Sequence, residues 1–230
     1  MFPATEKFFR NGHHVTREGG NAMRTEARWI SRVGAVSLAA LLATTVGLRV
    51  VHGQAQHVRW DIVSLQFNTP SPGVNTISAG GVAYASTKNP SSLKIKLTGS
   101  GTFVAPASGG PSNAVTGGGT WETFSGCPGA CVSTGGGAYW VKGLVSWEFD
   151  NFQLPVNVDL IGPDGANGNA VLRIQYSDGS EGTLGIGCHG PGADNGIVEG
   201  VIATKNYQTY WDAAVPVAGV NENRTSFHIE

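Results

Sequence analysis

Several carboxylates lie in or beside segments with a strand-like pattern, and some of them directly follow a tryptophan. A pair of carboxyls lined by aromatic rings is the arrangement that glycoside hydrolysis requires, because one carboxyl with a raised pKa donates the proton. The alternative is that each tryptophan faces the core and its acid faces water, since neighbouring strand residues point to opposite faces. The candidate catalytic carboxylates are Glu122, Glu148, Asp150 and Glu199.

Cys188 and His189 are adjacent in a glycine-rich segment and place a thiol beside an imidazole. One interpretation is a nucleophile or a metal pair, which makes His189 a further catalytic candidate. The other is a buried free thiol at a strand end with a turn histidine beside it, because adjacent strand side chains diverge. A metal would need more ligands, and the remaining imidazoles after residue 55 are His57 and His228. His57, His189 and His228 are therefore the candidate metal ligands, but their spacing predicts neither a metal nor another cofactor.

The three cysteines allow three pairings, which the sequence leaves open. Cys127 and Cys131 bracket the tripeptide Pro-Gly-Ala, which can turn the chain, and an oxidising compartment favours a disulfide. We expect this pair to be bonded. Cys188 is then unpaired, and it shares a period-two face with Leu184 and Ile186. We therefore expect Cys188 to be a buried, unreactive thiol.

Residues 23–55 have the parts of a secretory signal peptide. Three arginines precede an apolar run of 16 residues from Val33 to Leu48, and small residues follow it. The run is short for a membrane span, which needs about 20 residues, although an uncleaved anchor is the alternative. We expect cleavage near residue 55, a secreted or periplasmic location, and no membrane association afterwards. Residues 1–22 read as an upstream extension before a start at Met23.

The composition excludes several classes of protein. Charged residues make up 13% of the chain, about half the usual share, whereas its 34 glycines are about twice the average. This excludes coiled coils, helical bundles and charge-rich disordered chains. Residues 1–55 hold seven of the 15 basic and three of the 16 acidic residues, so residues 56–230 hold eight and 13, a net charge of −5. Such a domain lacks the basic surface of a nucleic-acid binder.

Period-two alternation recurs throughout the mature part of the chain, as half-buried strands require. In the run Leu93–Val104, Gly99 allows a bend or bulge. In the run Ala138–Phe152, the side chains of Val145, Trp147 and Phe149 share one face. An Asp-Gly pair between two of the runs is a strong hairpin signal. We predict one all-β domain over residues 56–230, an antiparallel β-barrel or β-sandwich of about eight to ten strands. The clearest runs are Leu93–Val104, Ala138–Phe152, Asn169–Tyr176 and Glu181–Cys188.

Three segments resemble sequences from a group of bacterial secreted proteins of unassigned function. They are Gly143–Phe149 (GLVSWEF), Tyr176–Gly192 and Glu199–Lys205. The resemblance covers most of the mature domain. It implies no activity and no site residue, because those proteins have no assigned function.

Two functions fit these observations. The first is an exported β domain that binds a small-molecule or carbohydrate-like ligand or has a structural role, because the sequence has no complete catalytic motif. The alternative is an extracellular hydrolase that acts on polysaccharide through two of the candidate carboxylates. The placement of His189 relative to Glu148 and Glu199 separates the two, since convergence of all three on one pocket would favour an enzyme.

Overall fold

The computed structural model describes residues 55–68, 74–88 and 91–230. These residues form fourteen β-strands, and none of them belongs to a helix long and apolar enough to cross a membrane. The predicted extension and nearly all of the predicted leader lie outside the described residues. The strands are β1 (Gln56–Gln66), β2 (Thr76–Ala79), β3 (Ala83–Ser86), β4 (Lys94–Leu97), β5 (Ser100–Ala105), β6 (Val115–Ser125), β7 (Val132–Phe152), β8 (Val158–Asp159), β9 (Gly165–Tyr176), β10 (Glu181–Cys188), β11 (Gly200–Lys205), β12 (Gln208–Tyr210), β13 (Asp212–Ala213) and β14 (Thr225–Ile229).

Six of these strands close into an antiparallel barrel. Around the ring, β1 pairs with β5, β5 with β6, β6 with β7, β7 with β9, β9 with β14, and β14 with β1. The other strands lie outside this ring: β10, β11 and β12 extend from β9, β4, β3 and β13 extend from β6, and β2 and β8 extend from β1. The prediction of an all-β antiparallel fold is confirmed, and closure of the ring makes it a barrel.

The structure has more strands than the eight to ten predicted. Strands β2, β8 and β13 have four residues or fewer, which is too short for alternation to be recognised. The predicted run Leu93–Val104 contains two strands, β4 and β5, because the chain bends at Gly99, whose φ is +152°. A Cβ at this position would lie 2.4 Å from the Tyr139 hydroxyl and 2.7 Å from the Gly118 carbonyl oxygen. The bend therefore requires glycine.

The interior of the barrel is filled with side chains. On β1, Val58, Trp60 and Ile62 are fully buried in the main hydrophobic core. They share this core with Phe103 and Phe227, whose ring centroids lie 6.5 Å apart in an edge-to-face arrangement. The barrel interior is therefore occupied by the side chains of the main hydrophobic core.

The opposite face of β1 supports a second, smaller hydrophobic cluster. Val63 and Leu65 alternate with the inward residues and pack against Ile77 of β2. Strand β2 pairs with the end of β1, and β8 pairs in parallel with β2. This places Asp159 at the end of β8 against the outer face of β14, where its Oδ2 lies 2.9 Å from Nε2 of His228. The outer face of β1 and β14 is thus covered by a second layer of chain.

Candidate functional site

The four candidate carboxylates are distributed over different parts of the surface. Glu122 lies 3.7 Å from a lysine ammonium on the outside of the barrel, and Glu148 lines a depression formed by β7, β9, β10 and β11. Asp150 accepts a hydrogen bond of 3.0 Å from a backbone N–H in the loop after β10. Glu199 lines a separate cavity, which it shares with His189. The structure thus joins Glu199 with a candidate histidine and places Glu148 elsewhere.

The three candidate histidines are also apart. His57 is exposed on β1, His228 is buried on β14, and His189 lies in the loop after β10. His228 pairs through Nε2 with Asp159. Within the parts of the chain that the structure describes, no group of three His, Cys, Asp or Glu side chains is placed to hold a metal ion.

The cysteines are arranged as predicted. Cys127 and Cys131 form a disulfide, and Cys188 is a free, buried thiol at the end of β10. Its Sγ accepts a hydrogen bond of 3.2 Å from Nε2 of Gln153 and donates one of 3.3 Å to the carbonyl oxygen of Thr225. Burial raises the pKa of this thiol well above its ordinary value, so little thiolate is present at neutral pH.

A cavity of about 500 Å³ lies outside the barrel wall, between the outer face of β1 and β14 and the loop after β10. Its volume is in the usual range for small-molecule sites. An adjoining cavity of about 340 Å³ shares the residues Ile77, Gln153 and Asn157 with it. We call the larger one the outer cavity, and define it by the wall residues Val63, Phe67, Gln153, His189, Glu199, Arg224 and Ser226.

Glu199 holds a junction in the sheet together beside the outer cavity. Strands β10 and β14 share one edge of β9: β10 pairs with it as far as Cys188, and β14 pairs with it at Ala166. Where one strand replaces the other, Oε2 of Glu199 accepts a hydrogen bond of 2.5 Å from the backbone N–H of His189. Its Oε1 accepts one of 2.7 Å from the backbone N–H of Thr225. One carboxylate therefore satisfies a backbone donor on each side of the junction.

This position makes Glu199 a weaker acid than an ordinary glutamate. Burial raises its pKa to about 7, although the two backbone donors and the positive charge of Arg224 act in the opposite direction. The carboxyl therefore exchanges its proton near neutral pH. A carboxyl with a strongly raised pKa in a cavity is typical of functional sites, although structural networks produce such shifts too.

Two polar groups in the wall of the outer cavity have no hydrogen-bond partner among the described residues. Ser226 is 1% exposed and its Oγ is unpaired, and the buried Nε of Arg224 is also unpaired. Buried polar groups are nearly always paired, because leaving one unpaired costs about 1–3 kcal/mol. Both unpaired groups therefore lie within the wall of the outer cavity, beneath its surface.

The imidazole of His189 offers the cavity one defined nitrogen. Its Nδ1 lies 2.9 Å from the carbonyl oxygen of Ile197. A carbonyl oxygen only accepts, so Nδ1 carries the hydrogen in this contact, and Nε2 is the nitrogen left for a ligand. In the neutral ring Nε2 accepts a hydrogen bond, for instance from a ligand hydroxyl.

Sequence reasoning included Glu199 and His189 among its candidates but missed Arg224 and Ser226. The sequence around β14 does contain a signal, because period-two alternation puts Arg224, Ser226 and His228 on one face. A guanidinium, a hydroxyl and an imidazole in a row are unusual for a strand that ends in a hydrophobic core. What the sequence lacked was the pairing of β14 with β1, which places this face against the cavity.

Comparison with known proteins finds no match: no protein-family model, no curated protein and no solved structure matches this chain. A function for the domain is therefore inferred from the outer cavity and its wall residues.

Proposed function

We propose that this domain binds a small carbohydrate-like ligand in the outer cavity. The observation that carries the proposal is Ser226, a fully buried serine in the wall of the cavity whose Oγ has no hydrogen-bond partner among the described residues. A sugar hydroxyl both donates and accepts hydrogen bonds, as the serine hydroxyl does. Because the Ser226 Oγ is buried, the wall would have to shift for a ligand hydroxyl to reach it, and the hydrogen bond formed would offset the cost of the unpaired polar group.

The other walls of the outer cavity suit the same class of ligand. Val63 and Leu65 supply an apolar wall for the carbon-bound hydrogens of a sugar ring, and Gln153 and His189 supply side-chain groups for its hydroxyls. The wall of the outer cavity thus combines apolar and polar side chains, and convergent polar groups are what fix a ligand's orientation in a small-molecule site. The barrel then acts as a rigid support, since its own interior is filled.

We also propose that binding takes place outside the cytoplasm. The support is the leader pattern in residues 23–55 together with the Cys127–Cys131 disulfide, because disulfides persist in oxidising compartments. N-terminal sequencing of exported protein should find a chain that begins near residue 55. A chain that begins at residue 1 would contradict this part of the proposal.

The binding proposal is tested by calorimetric titration of the purified protein with a panel of mono- and disaccharides. Ser226→Ala should weaken binding about fivefold, since one hydrogen bond contributes about 1 kcal/mol, and should not lower folding stability, because the hydroxyl that it removes is buried without a hydrogen-bond partner. Ser146→Ala is the matched control, because Ser146 is half-buried in a different cavity. Failure of every saccharide to bind, or equal affinities of the two variants, would refute the proposal.

A further inference from the structure

The guanidinium of Arg224 is a positive charge at the cavity wall without a carboxylate partner. The described residues form four ion pairs, and Arg224 belongs to none of them. Its Cζ lies 5.6 Å from the centroid of the Phe67 ring, and a terminal nitrogen lies 3.5 Å from the carbonyl oxygen of Val217. Its Nε is buried and unpaired. The group is thus held in place by an aromatic ring while most of its donors remain available to a ligand.

Glu199 lines the same cavity, but its carboxylate oxygens accept hydrogen bonds from the backbone. Its two oxygens accept the backbone hydrogen bonds from His189 and Thr225, so it does not pair with Arg224. The titratable and charged groups around it are Cys188 from β10, His189 from the following loop, and Arg224 from the segment before β14. A second carboxylate brought to Arg224 would be repelled by Glu199 in its charged form, and this repulsion disappears when Glu199 is protonated.

We infer that the ligand of the outer cavity is an acidic saccharide, whose carboxylate binds Arg224 while Glu199 takes up one proton from solvent. This inference rests on the proposed function and adds the charge of the ligand to it. A guanidinium presents parallel N–H donors that match the two oxygens of a carboxylate, which a neutral sugar lacks. Where Glu199 is charged before binding, the balance is one proton per ligand: its carboxylate and a solvent proton become a neutral carboxyl in the complex.

The position of the Glu199 titration makes the coupling measurable. With a pKa of about 7, Glu199 is mostly protonated at pH 6 and mostly charged at pH 8, whereas an ordinary uronic acid is ionised at both values. If binding requires the protonated form, affinity should fall about tenfold between pH 6 and pH 8. Close to one proton should be taken up per ligand at pH 8, and only a small fraction of one at pH 6.

The experiment compares matched probes by isothermal titration calorimetry on the purified protein: galacturonic acid with galactose, and glucuronic acid with glucose. Each titration is run at pH 6 and pH 8, in two buffers that differ in ionisation enthalpy, so that proton uptake is read from the difference in heat. We expect an acid to bind about tenfold more tightly than its neutral counterpart at pH 6, as a charge-assisted bidentate contact provides.

Two variants and one control test which residues cause the preference for the acid and its pH dependence. Arg224→Gln should remove the preference for the acid and leave the affinity for the neutral sugar within about threefold. Glu199→Gln should keep the preference and lose the pH dependence. Arg173→Gln is the control, because Arg173 is an exposed arginine on β9 that donates to Asn113 and lies outside the outer cavity. Thermal unfolding of each variant confirms that it is folded before the titrations are compared.

The outcomes separate this inference from the proposed function. Equal affinities for acidic and neutral sugars, or an acid preference that survives Arg224→Gln, would overturn the inference while binding itself stands. An acid preference without a pH effect and without proton uptake would overturn the part assigned to Glu199. No binding of either probe type, or of any saccharide in the panel, would overturn the proposed function as well.

Discussion

The buried carboxyl of Glu199 makes the stability of the domain depend on pH. Its pKa rises from an ordinary 4.5 to about 7 in the folded protein because of burial. The folded state therefore holds this proton more tightly than the unfolded state. The resulting stabilisation is fully present below pH 4.5 and is lost as the pH rises through about 7. A tenfold change in proton affinity corresponds to about 1.4 kcal/mol, so the whole effect is about 3 kcal/mol.

Urea unfolding at fixed pH values between 5 and 8, followed by tryptophan fluorescence, measures most of this loss. The window avoids Asp159 and Asp178, whose lowered pKa values keep them ionised above pH 5. Glu199→Gln should shift the free energy of unfolding by a constant amount and flatten its decline with pH. Glu148→Gln, an exposed carboxylate in another cavity, should keep the wild-type slope. Parallel profiles for wild type and Glu199→Gln would refute the reasoning.

Two further changes test the packing away from the outer cavity. Cys188→Ala should lower the free energy of unfolding by on the order of 1 kcal/mol, as a small core truncation does. A thiol reagent should label Cys188 in the native protein far more slowly than in the unfolded chain, because the thiol is buried. Rapid labelling of the native protein would contradict this burial. Lys205→Gln should cost about 1–2 kcal/mol, because its Nζ lies 4.4 Å from the Trp121 ring centroid and pairs with Asp178. The exposed Lys142→Gln should stay within about 0.5 kcal/mol, and equal effects of the two lysine variants would argue against the contact.

Features that depend on local chemistry could be predicted from the sequence. The hairpin between β9 and β10 turns at Asp178 and Gly179, where Gly179 has a φ of +86°, as an Asp-Gly pair between alternating runs indicates. The Cys127–Cys131 disulfide joins cysteines whose intervening residues already turn the chain. The burial of Cys188 follows from the period-two face that it shares with its strand neighbours.

Features that depend on irregular or long-range strand pairing could not be predicted from the sequence. On β7, Val145 is 40% exposed and Phe149 is 38% exposed, although alternation puts them on one face with Trp147. The register of β7 against β9 shifts at three places, and each shift resets which residues face inward. The outer cavity could not be predicted either, because Glu199 reaches Thr225 through the shared edge of β9 rather than through any sequence motif.

Strand β1 is a wall with a hydrophobic cluster on each side. Its residues Val58, Trp60 and Ile62 belong to the barrel core, and the alternate residues Val63 and Leu65 belong to the cluster beside the outer cavity. Inserting or deleting one residue inside this strand would exchange the two sets, turning inward-facing side chains toward the cavity and the reverse. Across descendants of this sequence, β1 should therefore keep its length, and the surface beside the outer cavity should diversify by substitutions at alternate positions.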